Sequence, residues 1–319
     1  MTQQHIPVAL ERCIELLTPA IENSLRNNAK SYVIDATLGL GGHTRALLAK
    51  FPSLIVIGID RDERAIAIAR EAVSPFQDRL LISHTTYDQI EEVLQQHGIS
   101  KVAGILFDLG VSSMQLDDGE RGFAYSHDAP LDMRMDQSVG LTAYEVLHTY
   151  DRPALVRILR MYGEEKFAPR IVDFIIEART EGRLNSTKEL AELIKNAIPA
   201  SARRTGGNPA KRTFQALRIE VNQELAILEK AIPAALEALE IHGRLVVMAY
   251  QSLEDKIVKS NFSEITASKT PRGLPVDLPD SAAKYALVMR GSEAASDAEI
   301  VLNPRAQSMR LRAVERLAA

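Results

Sequence analysis

One segment constrains the fold of this chain more than any other: Tyr32-Val-Ile-Asp35-Ala-Thr-Leu-Gly39-Leu-Gly41-Gly42-His43-Thr44. A short apolar run of strand character ends in Asp35. A glycine-rich turn follows, and Arg45 to Lys50 then reads as a helix. This is the first strand–loop–helix unit of a nucleotide-binding α/β sheet. Glycines at 39, 41 and 42 let the backbone turn sharply and approach a ligand. The spacing Gly-x-Gly-Gly differs from the Gly-x-Gly-x-x-Gly that seats a pyrophosphate on a helix N-terminus. An acid before the glycines suits a ligand carrying positive charge near the turn, such as the amino group of S-adenosyl-L-methionine.

The following units repeat the pattern. Leu54 to Asp60 is an apolar run of strand length ending in an acid, and Arg61 to Arg70 reads as a helix. Asp60 stands roughly 20 residues past the glycines, where an acid accepts hydrogen bonds from ribose hydroxyls. A third strand is expected from Arg79 to Ser83, leading to Tyr87, and a fourth from Val102 to Asp108. Strands that end in polar groups along one edge describe the ligand crevice of an open α/β sheet. After a gap the pattern resumes with a long amphipathic stretch, Thr213 to Leu239, which Pro233 is expected to kink. Gly243 to Tyr250 is a fifth strand, and Ser252 is the expected N-cap of the helix after it. Lys284–Arg290 and Ser308–Glu315 form a closing strand pair. The expected fold class is α/β: a Rossmann-like, seven-stranded class I S-adenosylmethionine-dependent methyltransferase sheet with an inserted helical domain. The expected boundaries are 1–116 with 213–319 for the sheet domain and 117–212 for the insertion.

Charge is unevenly distributed along the chain. The net charge is −4, yet between Asp151 and Arg218 there are fourteen Lys/Arg against eight Asp/Glu. That stretch looks helical over Pro153–Tyr162, Ala168–Thr180 and Thr187–Ala197, with Ser186 or Thr187 as a cap. Arg203, Arg204, Lys211 and Arg212 sit among glycines and small residues, a combination suited to a loop that meets phosphates. The single cysteine, Cys13, excludes an internal disulfide and a cysteine-cluster metal site, and the seven histidines show no ligand spacing. No signal-peptide pattern opens the chain and no apolar run reaches membrane-spanning length, so no membrane partner and a cytoplasmic location are expected.

The motifs resemble a specific family, the bacterial small-subunit (16S) ribosomal RNA cytosine N4-methyltransferases (MraW/RsmH). The resemblance spans nearly the whole chain. It rests on His5-Ile-Pro-Val8, Asp35 to His43, Asp108-Leu-Gly-Val-Ser-Ser113, Gln115-Leu-Asp117 and Arg121-Gly-Phe123. It continues through Pro130-Leu-Asp-Met-Arg-Met-Asp136, Tyr162 to Glu165, Arg212 to Arg218, Ser252-Leu-Glu-Asp255 and Asn303 to Ala306. It implies methyl transfer from S-adenosyl-L-methionine to N4 of one cytidine in the decoding region of 16S rRNA. The implied partner is that rRNA within the small ribosomal subunit, and a homodimer is compatible with it. Carried over by position, Gly41, Gly42 and His43 are glycine-turn contacts and Asp60 is the ribose acid. Tyr87 puts an aromatic face toward the adenine, and Asp108 and Gln115 complete the cofactor set. Two positions depart from common patterns: Gln251 stands where many members have His, and Leu109-Gly110 stands where classical amino-methyltransferases have two prolines.

The chemistry sets roles independently of the family. Cytosine N4 is a poor nucleophile, so it must be aligned with the methyl carbon for in-line displacement. Asp108 is placed to accept a hydrogen bond from that amino group and to stabilise the positive charge developing on it. Ser112 or Ser113 is a candidate for orienting the base, and Phe123 or Tyr125 for stacking on it. Asp132, Arg134 and Asp136 either line the entrance or form an ion-pair network. No metal is required. Two other functions use the same features: an NAD-linked oxidoreductase, against which the glycine spacing argues, and a non-catalytic ribosome-assembly factor, against which Asp60 and Asp108 argue.

Overall fold

The structure, a computed structural model, describes residues 7–202, 208–268 and 282–318, apart from the side chain of Ser113. It divides into two compact units, Met1–Gly110 with Leu225–Ala319, and Val111–Glu224. The boundaries expected from the sequence, 116/117 and 212/213, fall inside helices that belong to the second unit.

The first unit is built on a sheet of seven strands: β1 (Ser31–Asp35), β2 (Leu54–Asp60), β3 (Leu80–His84), β4 (Val102–Asp108), β5 (Leu239–Ala249), β6 (Tyr285–Leu287) and β7 (Arg310–Arg316). Their order is β3-β2-β1-β4-β5-β7-β6. The first five run parallel, and β7 pairs antiparallel with both β5 and β6. This is the class I methyltransferase sheet expected from the sequence. The central strands β1, β2 and β4 are largely apolar up to their terminal acids because both faces are covered. Side chains alternate between faces, so Val33, Val56, Leu106 and Val246 join one core while Ile34, Ile57, Phe107 and Val247 join the other.

Helix α1 (Leu10–Asn27) is an element that the strand and glycine signals of the sequence do not single out. It buries Cys13, Ile14, Leu17, Ala20, Ile21 and Ser24, a helical spacing, and Leu17 packs with Val33, Leu106 and Val246. The helices α2 (Gly42–Lys50), α3 (Glu63–Ala72) and α4 (Ile90–Gln96) follow their strands as expected. Asp62 caps α3 by accepting from Arg64 N–H.

The second unit holds α5 (Ser113–Asp117), α6 (Ala143–Thr149), α7 (Arg152–Met161), α8 (Ala168–Thr180), α9 (Thr187–Ala197) and α10 (Lys211–Asn222). Leu155, Ile158, Ile171, Ile175, Leu190, Ile194, Phe214 and Leu217 share its core. Ser186 caps α9 by accepting from Glu189 N–H. The long pattern after residue 213 breaks at Gln223, not at Pro233. Gln223 takes a left-handed φ of 51°, and α11 (Glu224–Ala238) runs through Pro233. The cause lies one residue earlier. Buried Asn222 accepts from Met135 N–H at 2.7 Å and donates to Met133 O at 2.7 Å, which ties the end of α10 to another loop. The helix α12 (Ser252–Ile265) starts one residue earlier than expected, with Gln251 at its N-cap position, and α13 (Asp297–Leu302) precedes β7. Among the described residues no helix is long and apolar enough to cross a membrane.

Candidate functional site

The order β2-β1-β4 puts a topological switch point between β1 and β4, where the crevice of an open parallel sheet lies. Its rim is the carboxyl edge of the strands. The glycine turn leaves β1, Asp60 ends β2, Tyr87 follows β3, Asp108 ends β4 and Tyr250 follows β5. Gly39, Gly42, Asp60, Tyr87, Asp108 and Tyr250 are all partly exposed along this edge.

The turn is held from three sides. Asp60 Oδ2 accepts from Gly39 N–H at 2.7 Å and its Oδ1 from Asp62 N–H at 2.8 Å. Burial raises the Asp60 pKa, and these two backbone donors oppose the rise. Each carboxylate oxygen keeps a second lone pair for a ribose hydroxyl. Gly41 stands at φ 78°, and a Cβ there would meet Val73 and Ala69 at 3.0 and 3.3 Å. A Cβ on Gly42 would lie 2.3 Å from Pro7 Cγ, so glycine at both positions is required by the packing of the turn on the chain's own residues.

Asp35 and His43 sit behind the turn. Asp35 is 1% exposed and accepts from Thr44 Oγ1 at 2.7 Å and, more weakly, from Thr37 N–H at 3.4 Å. Burial raises its pKa, against the pull of His43 and Thr44. The expectation that Asp35 meets a cationic ligand group is thus corrected: its carboxylate braces the turn from inside. His43 is buried too, with its pKa lowered by burial. Its Nε2 lies 3.1 Å from Val8 O, and a carbonyl only accepts, so the ring donates there. The imidazole therefore fastens the N-terminal segment instead of facing the crevice.

On the other side of the switch point, Asp108 is the hub. Its N–H donates to Thr37 Oγ1 at 2.7 Å, joining β4 to the turn after β1. Its Oδ1 accepts from the Tyr250 hydroxyl at 2.6 Å. Tyr250 is a site residue that sequence reasoning missed. The signal was available only through pairing: Asp108 is in register with Met248 on β5, two residues before Tyr250. Tyr87 packs edge-on against buried Phe107, with centroids 5.3 Å apart and planes at 76°. That contact fixes its ring at the rim.

The remaining candidates lie in the second unit. Ser112 and Gln115 form a reciprocal cap on α5: Ser112 Oγ accepts from Gln115 N–H, and Gln115 Oε1 accepts from Ser112 N–H at 3.1 Å. The Ser113 side chain lies outside the described atoms. Phe123 is 7% exposed, with the buried Arg121 guanidinium 5.7 Å from its ring centroid. This corrects its assignment as a base-stacking residue, because stacking needs an open ring face. Tyr125 is only partly buried and packs edge-on against Phe214 at 5.7 Å. The Asp132–Arg134 question resolves as an ion pair with two bonds, 2.8 and 2.9 Å. Burial would raise the Asp132 pKa, but Arg134 outweighs it and holds the carboxyl below its usual range. Asp136 instead accepts from Ser138 within its own turn. Lys211 and Arg212 are exposed and open α10, so they are helical and not loop residues; Arg203 and Arg204 lie outside the described residues. Among the described residues no cluster of His, Cys, Asp or Glu could hold a metal ion.

Comparison with known proteins identifies relatives of the chain. The profile of the MraW methylase family matches residues 2–317. The chain is 56% identical over 313 residues to the ribosomal RNA small subunit methyltransferase H of Mycolicibacterium smegmatis, covering 98% of this chain and 84% of that one. It is 53% identical over 318 residues to the protein of the same name from Pseudarthrobacter chlorophenolicus, covering 100% and 96%. Among solved structures, an rRNA methylase from Streptococcus thermophilus superposes with a TM-score of 0.44 at 12% identity, over 98% of this chain and 99% of that one. A match from the second residue to within two of the last leaves no part of either unit outside the comparison: the chain belongs to the MraW methylase family.

Proposed function

We propose that this chain transfers a methyl group from S-adenosyl-L-methionine to N4 of cytidine 1402, in the usual rRNA numbering, in the decoding region of 16S rRNA. The observation that carries the reading is Asp108. It ends β4 at the switch point, stays partly exposed, and is fixed through Thr37 and Tyr250. Such a carboxylate suits an amine substrate and has no evident task in hydride transfer.

The crevice fits the cofactor. Asp60 would take the ribose hydroxyls and Tyr87 would flank the adenine. The Gly39–Gly42 turn gives room for close backbone approach. When bound, S-adenosyl-L-methionine supplies a methyl carbon made electrophilic by its sulfonium. Asp108 accepts one N–H of the cytosine amine, which orients N4 for in-line attack and stabilises the charge that forms on it. As the N4–C bond forms, the C–S bond breaks with its electron pair left on sulfur. One N4 proton then leaves through the Asp108 carboxylate to water.

The rRNA is held by the second unit, with Arg203, Arg204, Lys211 and Arg212 meeting phosphates. The exposed Lys211 and Arg212 at the start of α10 support this part, because cations at a helix N-terminus oppose its dipole. Ser112 and Ser113 are proposed to orient the base, and Gln115 to contribute to the cofactor set. The partner is 16S rRNA within the small ribosomal subunit. The test is transfer of tritiated methyl from the donor to small subunits purified from cells lacking this modification. Label is expected in 16S rRNA, and unlabelled rRNA at enzyme excess would overturn the reading.

A further inference from the structure

The Ser252-Leu-Glu-Asp255 segment marks the chain in sequence, yet none of its side chains has a role in the chemistry above. Its structural role converges on Tyr250. Glu254 is 3% exposed, and its Oε2 accepts from Tyr250 N–H at 3.0 Å and from Gln251 N–H at 3.3 Å. Its Oε1 accepts from Gln251 Nε2 at 3.1 Å. Next to it, Asp255 takes two bonds from Arg312 on β7, at 2.7 and 3.0 Å. The start of α12 is thus locked to the sheet, and the corner between β5 and α12 can hardly move. That corner carries the phenol that reaches Asp108.

We propose that Tyr250 is a positioning residue for methyl transfer: its hydroxyl holds Asp108 Oδ1 and keeps that carboxylate aimed for the substrate amine. The proposal rests on the reading of Asp108 as the amine acceptor. The surroundings of this carboxylate are acidic: Asp35 interacts with it from β1 and Glu254 stands behind Tyr250 on α12, while buried Cys13 on α1 keeps its proton and adds no charge. A donor on Oδ1 offsets that repulsion, since hydrogen bonding to the charged form favours it. Tyr250 can serve in this way at every working pH. Burial and the negative charge of Asp108 push its own pKa far upward, so the phenol keeps its proton. With Oδ1 engaged by a fixed donor, the plane of the carboxylate is set before the amine arrives.

Tyr250→Phe removes the hydroxyl and keeps the ring. The first measurement needs no substrate: carboxyl chemical shifts of carbon-13-labelled aspartate in the cofactor-free protein, titrated with pH, with Asp108→Asn identifying the signal. In Tyr250→Phe the Asp108 midpoint should move up by about one pH unit. The second is the pH profile of single-turnover methyl transfer to small subunits at saturating donor. Its acid limb should shift in the same direction, and the rate below that limb should fall about tenfold, as one pH unit requires. The third is the double variant. Added to Asp108→Asn, Tyr250→Phe should cost nothing further, because both act through one bond.

An unmoved Asp108 titration in a variant with wild-type circular dichroism would overturn the proposal, as would full additivity in the double variant. If Tyr250→Phe fails to fold, the test passes to wild-type protein labelled with carbon-13 at the tyrosine Cζ, whose Tyr250 signal should move as Asp108 titrates and stay fixed in Asp108→Asn; a signal that does not move in the wild type overturns it. Wild-type protein that transfers no methyl to rRNA would contradict the proposed function instead, and the titration would still read the Tyr250–Asp108 bond.

Discussion

At the residue scale, the proposed function gives Asp60 and Asp108 different work at the tips of β2 and β4, on either side of β1, and substitution separates them. Asp60→Ala should weaken S-adenosyl-L-methionine binding by about 1.5–3 kcal/mol, through loss of charge-assisted bonds to the ribose. Calorimetry on the folded variant checks this, and unchanged affinity would remove Asp60 from the site. Its raised pKa adds a pH dependence. The ionised carboxylate is the better acceptor, so affinity is full above the raised pKa and falls as pH drops through it. Asp60→Asn should show a flatter dependence over the same range. Asp108→Ala should instead lower the single-turnover rate at saturating donor by about 100-fold or more. A wild-type rate would mean that Asp108 touches no reacting atom. Both residues were legible in the sequence because strand-end acids are local signals. Tyr250 was not, because its partner is 142 residues away in the chain and only the β4–β5 register brings them together. Phe123 failed for the opposite reason: a loop aromatic looks the same in sequence whether its ring is buried or open.

At the element scale, the strands followed from short apolar runs, those of β1, β2 and β4 ending in acids, and α8 and α9 from apolar residues at helical spacing. The misplaced break after α10 shows what periodicity lacks. A proline suggested a kink at 233, but the chain turns where Asn222 is drawn to Met133 and Met135, a tertiary contact with no local signature. The turn forces Gln223 to a left-handed φ of 51°, which costs a non-glycine residue roughly 1–2 kcal/mol. Gln223→Gly should therefore stabilise the protein by about 0.5–1 kcal/mol, after the greater flexibility of glycine in the unfolded chain is subtracted. Urea unfolding followed by circular dichroism tests this. A destabilised variant would mean that the Gln223 side chain contributes more than its backbone strain costs.

At the scale of the whole molecule, basic charge is concentrated in one stretch of the second unit. The segment from Asp151 to Arg218 is basic and the rest of the chain is acidic. Acidic surface repels RNA, so that stretch must supply the attraction. Several of the basic groups serve the fold itself: Arg179 donates to carbonyls of Leu147, His148 and Tyr150, and Arg218 pairs with Glu224. Lys211 and Arg212 are exposed instead. Replacing both by Ala should weaken rRNA binding and flatten its salt dependence by a slope of about 1 for each phosphate left unneutralised. S-adenosyl-L-methionine affinity should not change, because neither residue belongs to the proposed cofactor set. Filter binding across a salt series gives the slopes, and identical slopes would leave this pair as ordinary solvated surface.

The central claim is that a carboxylate at the tip of β4 directs methyl onto an exocyclic amine of rRNA. Nucleoside mass spectrometry of 16S rRNA, after methyl transfer to small subunits lacking the modification, tests it most directly. The account predicts N4-methylcytidine as the single new nucleoside, formed by the wild type and lost with Asp108→Ala. A new methyl on a ring carbon or a ribose hydroxyl, or N4-methylcytidine formed at an undiminished rate by Asp108→Ala, would contradict it.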